Sequence, residues 1–262
     1  MSDTHDGRTG RTMQKVQLAP LWSVVAGAAG LALISLIDVL SGFGWGIGLL
    51  YLVVSSALLA RGLRWRRTTL FGPANAVTLV RSTLVGLVTA TVATSFTEAI
   101  SVPLLIALTV PALALDAVDG FVARRTHTIS ELGARFDMEV DAFLILVLGA
   151  YVAQDLGWWV LTLGLLRYAY VVAGWALPWL RRPVPPRYWA KVVAAFAGIA
   201  LALAASGLVD RWADVVVTLV ALGLLLESFG RDIGWQFIHR VDPVTAEAPS
   251  VASEAARTGR GR

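Results

Sequence analysis

The sequence has no cysteine and few charged residues, and both absences restrict what the protein can be. Without cysteine the chain forms no disulfide and performs no thiol chemistry, although this does not identify its compartment. Only 15% of the 262 residues are charged, whereas 56% are hydrophobic and the mean hydropathy is +0.69. These values lie well outside the range of a soluble globular domain. We therefore predict an integral membrane protein.

Eight apolar runs indicate membrane-spanning helices. None alternates between polar and apolar residues as the strands of an outer-membrane barrel do. Most approach the roughly 20 residues that a spanning helix needs, although the second and fifth are short. The first is too long for the apolar core of a signal peptide. The runs cover 21–41, 43–60, 75–93, 99–121, 139–153, 157–180, 188–208 and 213–230.

The basic residues predict the orientation of these helices. Most of the 22 lysines and arginines fall before the first run, after the last run, or in the connections after the second, fourth and sixth runs. All of these segments lie on one side of the membrane, and the positive-inside rule makes that side cytoplasmic. We expect a multi-pass protein of the cell membrane with both termini in the cytoplasm. The pI of about 9.8 then reflects membrane topology and not nucleic acid binding.

The chain divides into five predicted parts, which together form an all-α membrane protein. The first 60 residues give a polar cytoplasmic tail at 1–20 and a transmembrane hairpin at 21–60. A basic amphipathic segment at 61–74 suits the cytoplasmic leaflet. Short connections make the six helices of 75–232 antiparallel neighbours in one bundle. Residues 233–262 lack apolar periodicity over most of their length, and we expect a disordered cytoplasmic tail.

Four aspartates carry the strongest functional signal. Asp116 and Asp119 are three residues apart at the end of one helix, and Asp137 and Asp141 are four apart at the start of the next. Each pair shares a helix face. If the pairs converge, their repulsion is tolerable only around cations, and hard divalent ions such as Mg²⁺ prefer oxygen ligands. The alternative is that these aspartates are interfacial helix caps.

Small residues and one cation accompany the aspartates. Gly120 and Ala123 leave one helix face almost without side chains, and Gly133 does the same one turn before Asp137. Arg124 is a planar cation suited to phosphate. This combination indicates a site for a metal-bound pyrophosphate substrate.

The pattern D-x-x-D-G-x-x-A-R followed by G-x-x-x-D-x-x-x-D resembles the signature of the CDP-alcohol phosphotransferase family at every fixed position. The resemblance covers about residues 70–232 and leaves the hairpin outside. It implies transfer of a phosphatidyl or related phosphoalcohol group from a CDP-linked lipid donor, such as CDP-diacylglycerol, to an alcohol acceptor, with release of CMP. It also implies a homodimer.

The resemblance assigns roles to single residues. It implies a centre of two Mg²⁺ or Mn²⁺ ions whose ligands are Asp116, Asp119, Asp137 and Asp141, and it makes Asp141 the general base as well. The segment G-P-A-N-A-V-T-L-V-R at 72–81 resembles the family's N-x-x-T-x-x-R opening. A helix N-cap explains Asn75 equally well. The implied nucleotide and diphosphate site consists of Asn75, Thr78, Gly120, Ala123 and Arg124.

Four cations are candidates for binding a phosphorylated acceptor: Arg81, Arg167, Arg187 and Lys191. Arg81 and Arg167 lie within apolar runs, where a charge is costly and indicates function. A structural ion pair remains an alternative for Arg167, and contacts with lipid headgroups remain an alternative for Arg187 and Lys191. The acceptor is glycerol phosphate, phosphatidylglycerol or inositol phosphate, and the sequence does not select one.

Two other functions remain open at the level of sequence. A cation transporter would use the carboxylates as an ion path, and it predicts acidic residues near the bilayer midplane, often on interrupted helices. A catalytically inactive structural homologue would normally have lost one of the motif positions.

Overall fold

The protein is all-helical throughout the part of the chain that the structure describes. This computed structural model describes residues 6–65, 73–126, 131–181, 184 and 187–239, with backbone alone for 6–20, 63–65, 73–76, 117–126 and 131–135. Within these ranges there are eight α-helices and no strand, which confirms the predicted fold class. The helices are α1 (Asp6–Ile37), α2 (Gly42–Trp65), α3 (Pro73–Thr94), α4 (Val102–Thr126), α5 (Glu131–Leu156), α6 (Thr162–Ala176), α7 (Tyr188–Ser206) and α8 (Arg211–Ile238).

Length and hydropathy make this a multi-pass membrane protein. Five stretches among the described residues are long and apolar enough to cross a membrane, and they fall in α2, α3, α7, α8 and the segment that includes α6. α1 and α4 contain shorter apolar stretches, Leu21–Ile37 and Val102–Asp116. The first half of α5 carries Asp137, Glu139 and Asp141, and this charge lowers its hydropathy.

α3 lies at the centre of the molecule. Its apolar stretch is 72% buried, whereas the other candidate spans are 22–39% buried. α3 packs against α1, α2, α4 and α5. A large apolar core joins α3 to the helices that follow it, and a smaller cluster, which includes Leu31, Leu52 and Leu87, joins the hairpin of α1 and α2 to α3. Side chains on α3 are therefore withdrawn from lipid.

The run at 157–180, predicted as one helix, is divided in the structure. A 3₁₀ turn at Trp158–Leu161 precedes α6, and a second at Pro178–Arg181 follows it. α6 ends at Ala176 because Leu177 is extended, with φ −120° and ψ 92°. Leu177 precedes Pro178, and proline disfavours the helical conformation in the residue before it. The prediction of a continuous helix was wrong because it relied on hydropathy, which does not detect this break.

α1 and α8 extend into the segments that the sequence predicts as tails. α1 begins at Asp6, before the apolar run that starts at residue 21, and α8 continues past residue 232 to Ile238. Gln236 holds the last turns of α8, since it is 1% exposed and its Nε2 donates to the Leu180 carbonyl at 3.0 Å. The Tyr170 hydroxyl donates to its Oε1 at 2.8 Å. The central part of the predicted juxtamembrane segment and the tail from residue 240 lie outside the described residues.

Candidate metal centre

Three of the four predicted aspartates converge in the structure. α4 brings Asp116 to the site, and α5 brings Asp137 and Asp141, which are one helical turn apart. One carboxylate oxygen of each lies within 4.8 Å of the other two. The side chains are 38%, 29% and 32% exposed, respectively, so they are open to an ion or a ligand but shielded from bulk water. Clustered carboxylate oxygens are the ligands that Mg²⁺ and Mn²⁺ prefer.

Several other predicted site residues are placed by their backbone alone. Asn75 lies in the first turn of α3. The last turns of α4 contain Asp119, Gly120, Ala123 and Arg124. Gly133 lies in the first turn of α5. Their side chains lie outside the described residues, so their roles remain predictions. Thr78 is described: it is 7% exposed and one turn before Arg81 on α3, so the two share a helix face.

Arg81 holds the three aspartates together. Its side chain is 0% exposed, and its Nη1 donates to Asp116 Oδ1 at 3.1 Å and to Asp137 Oδ1 at 2.6 Å. Its Nη2 donates to the Asp137 carbonyl at 3.2 Å and also to the Asp141 carboxylate. The central position of α3 explains how one guanidinium reaches both α4 and α5. Arg81 therefore joins the candidate metal centre, whereas the sequence had suggested the acceptor site.

The charge of the cluster leaves room for a divalent cation. The Arg81 guanidinium neutralises one of the three carboxylates, so two formal negative charges remain among half-buried groups. Carboxylates this close repel one another unless a cation or a proton compensates them. The donor set and its residual charge both fit a divalent metal ion.

Two of the other candidate acceptor cations form ion pairs in the structure. Arg167 Nη2 donates to Glu139 Oε1 at 2.5 Å, and Arg187 Nη1 lies 3.3 Å from Asp232 Oδ1. These contacts match the ion-pair alternative for Arg167. Lys191 is exposed on α7, and no carboxylate among the described residues forms a salt bridge with it. Arg81 is the candidate whose contacts with the aspartates the structure describes.

A cavity lies apart from the aspartates, between α7 and α8. It has a volume of about 470 Å³, and its lining includes Arg187, Trp189, Arg231 and Trp235. Arg231 pairs with Glu227 one turn earlier on α8. The charge of both arginines is thus already compensated by neighbouring carboxylates.

A comparison with protein-family models matches residues 71–227 to CDP-alcohol phosphatidyltransferase. The chain belongs to this family. CDP-alcohol phosphatidyltransferases act in the membrane on CDP-alcohol donors and alcohol acceptors, and they use a divalent metal. Comparisons with curated proteins and with solved structures found no significant match.

Family membership agrees with the geometry of the site. Asp116, Asp137, Asp141 and Arg81 all lie inside the matched region, whereas α1 and α2 lie outside it. α4 and α5 are continuous helices where they carry the three aspartates. A cation transporter that used these carboxylates as an ion path would often carry them on interrupted helices.

One residue near the site was missed by the sequence analysis. The hydroxyl of Tyr51 on α2 is 3.3 Å from the Oγ of Ser82, the residue after Arg81, and its ring stacks on Phe143 with centroids 4.6 Å apart. The available signal was the hydroxyl itself, because a tyrosine within an apolar helix needs a hydrogen-bond partner.

Proposed function

We propose that this protein is a phosphatidyltransferase of phospholipid synthesis. It moves the phosphatidyl group of a CDP-linked lipid donor, such as CDP-diacylglycerol, to an alcohol acceptor and releases CMP. The observation that carries the proposal is the convergence of Asp116, Asp137 and Asp141 around the buried Arg81, inside the region that matches the family. A purely structural bundle has no need to keep three carboxylates together at such electrostatic cost.

The donor set fits a two-metal centre of Mg²⁺ or Mn²⁺. Asp116, Asp137 and Asp141 would hold the ions together with Asp119, which lies one turn after Asp116 on α4. Bound there, the ions would supply the positive charge that neutralises the donor diphosphate and the departing CMP.

Asp141 is the proposed general base. It takes the proton of the acceptor hydroxyl, whose oxygen forms a bond to the phosphorus of the phosphatidyl group as the bond from that phosphorus to the CMP oxygen breaks. Arg81 keeps the Asp141 carboxylate and its two neighbours in fixed orientation through four hydrogen bonds. This fixed orientation favours reaction because less motion must be lost at the transition state.

The donor is proposed to lie between the start of α3 and the end of α4. The residues proposed to contact its nucleotide and diphosphate are Asn75, Thr78, Gly120, Ala123 and Arg124. The structure supports this because Thr78 is buried and shares a face of α3 with Arg81, whose guanidinium contacts the aspartates.

Lys191 is the strongest candidate for holding the phosphate of the acceptor. It is exposed, and no carboxylate among the described residues forms a salt bridge with it. Arg167 and Arg187 would have to leave Glu139 and Asp232 before they could bind a phosphate. Glycerol phosphate, phosphatidylglycerol and inositol phosphate all offer the phosphate that this arrangement requires.

We also propose that the site faces the cytoplasm of the cell, in the cell membrane. The distribution of basic residues supports this orientation. A homodimer is the expectation from family resemblance.

The test is CMP release by the purified protein from CDP-diacylglycerol with each of the three acceptors. We expect CMP release with one acceptor, loss of activity in excess EDTA, and recovery with Mg²⁺ or Mn²⁺. Asp137→Asn should abolish activity, whereas the matched control Asp155→Asn, at the opposite end of α5, should retain it. Full turnover in EDTA would contradict the metal centre. No CMP release with any acceptor would favour the inactive homologue.

A further inference from the structure

The hairpin of α1 and α2 lies outside the family match but is seated tightly on the core. A Cβ placed on Gly48 of α2 would lie 2.7 Å from the Ala90 Cβ of α3. A Cβ placed on Gly86 of α3 would lie 2.7 Å from Leu52 Cδ2 and 3.2 Å from Tyr51 Cδ1. Small residues at such contacts allow membrane helices to approach closely. The position of α2 is therefore fixed against α3.

Tyr51 extends this contact to the candidate metal centre. Its hydroxyl is 3.3 Å from the Oγ of Ser82, the neighbour of Arg81 on α3. Its ring stacks on Phe143 of α5, two residues after Asp141, with an interplanar angle of 17°. One side chain of the hairpin thus joins the helix that carries Arg81 to the helix that carries two of the aspartates.

We propose that Tyr51 is a positioning residue, which fixes the spacing of α3 and α5 so that Arg81 aligns Asp137 and Asp141 for metal binding and phosphatidyl transfer. The inference rests on the proposed function. Metal–ligand distances are held to within about 0.2 Å, so a small shift between the two helices weakens metal binding. The hairpin would then supply part of the site's support from outside the family core.

The test removes the Tyr51–Ser82 contact from each side. Tyr51→Phe keeps the stacked ring and removes the hydroxyl, and Ser82→Ala removes its partner. Loss of one hydrogen bond should weaken Mn²⁺ binding, measured by electron paramagnetic resonance of free Mn²⁺ in detergent, by roughly 2- to 10-fold. We expect a similar rise in the metal concentration for half-maximal turnover and a fall in kcat, with the KM for the donor nearly unchanged.

A double variant and a control separate positioning from general stability. Tyr51→Phe combined with Ser82→Ala should be no worse than either single variant, because both remove the same contact. The control is Thr94→Val, at the opposite end of the interface between α2 and α3, where Thr94 Oγ1 accepts from Ser41 N at 3.3 Å. It should lower the Tm without changing Mn²⁺ affinity or kcat.

A third substitution tests the ring. Tyr51→Leu removes the stacking on Phe143 as well and should weaken Mn²⁺ binding by a further roughly 2- to 10-fold. Wild-type Mn²⁺ affinity and kcat in both Tyr51 variants would overturn the inference, as would equal loss in Thr94→Val. Wild-type protein that binds Mn²⁺ but releases no CMP would contradict the proposed function, and the Mn²⁺ affinities would still decide the role of Tyr51. Wild-type protein that binds no Mn²⁺ would contradict both.

Discussion

Replacing Arg81 with glutamine should destabilise the metal-free protein and make its stability depend strongly on divalent cations. Glutamine keeps a polar side chain of moderate length but removes the positive charge. The variant leaves Asp116, Asp137 and Asp141 with oxygens within 4.8 Å of one another and no guanidinium between them.

The structure sets the size of the effect. Arg81 is 0% exposed, and loss of one partner from a buried ion pair costs about 3–5 kcal/mol. The aspartates are about one-third exposed, so water reduces the cost, and we expect the lower end, about 3 kcal/mol. This lowers the ratio of folded to unfolded protein by about 10²-fold.

A divalent cation should restore much of this loss. A ligand at 100 times its Kd stabilises the folded state by about 2.7 kcal/mol. The variant should still gain stability from Mg²⁺, because the cation supplies positive charge that Arg81 no longer provides, but it should need a higher Mg²⁺ concentration because the carboxylates have lost the side chain that aligns them.

The assay is thermal unfolding in detergent, in EDTA and in saturating Mg²⁺. The matched control is Arg167→Gln, which breaks a partly exposed ion pair with Glu139 and should cost no more than about 1 kcal/mol. A Tm of Arg81→Gln equal to that of the wild type in EDTA would refute the reasoning. The absence of any Mg²⁺-induced rise in the Tm of Arg81→Gln would refute the expectation that a divalent cation compensates these carboxylates.

Three further predictions concern turnover and substrate binding. Asp141→Asn should reduce kcat, measured by steady-state CMP release, by roughly 10²-fold or more because it removes the proposed base. A kcat near that of the wild type would contradict the role of Asp141 as general base. Gly120→Leu should weaken binding of the CDP-linked donor without lowering the Tm, since leucine favours helix, and normal donor affinity would show that this face does not touch the donor. Lys191→Gln should raise the acceptor KM by about 10- to 150-fold and leave the donor KM nearly unchanged. The control Arg167→Gln should change neither KM. Equal rises in both KM values of Lys191→Gln would place Lys191 outside the acceptor site.

The sequence by itself determined the membrane class and the approximate number of helices, and it named the candidate metal ligands. These follow from local properties: apolar runs of spanning length, and pairs of aspartates whose spacing puts them on one helix face. The sequence raised convergence of the two pairs only as a condition, and the structure brings Asp116, Asp137 and Asp141 together, whereas their role as metal ligands stays a prediction. Helix ends were less accurate, since hydropathy placed neither the break at Leu177 nor the last turns of α8.

Only the tertiary structure decided which charges meet. The sequence showed that Arg81 was a costly cation in an apolar helix, but its partners lie 35, 56 and 60 residues away and depend on the packing of α3 against α4 and α5. The partner of Arg167 and the contact of Tyr51 with Ser82 are equally non-local. Periodicity along one helix shows which of its residues share a face. Which neighbouring helix packs against that face depends on how all the helices pack together.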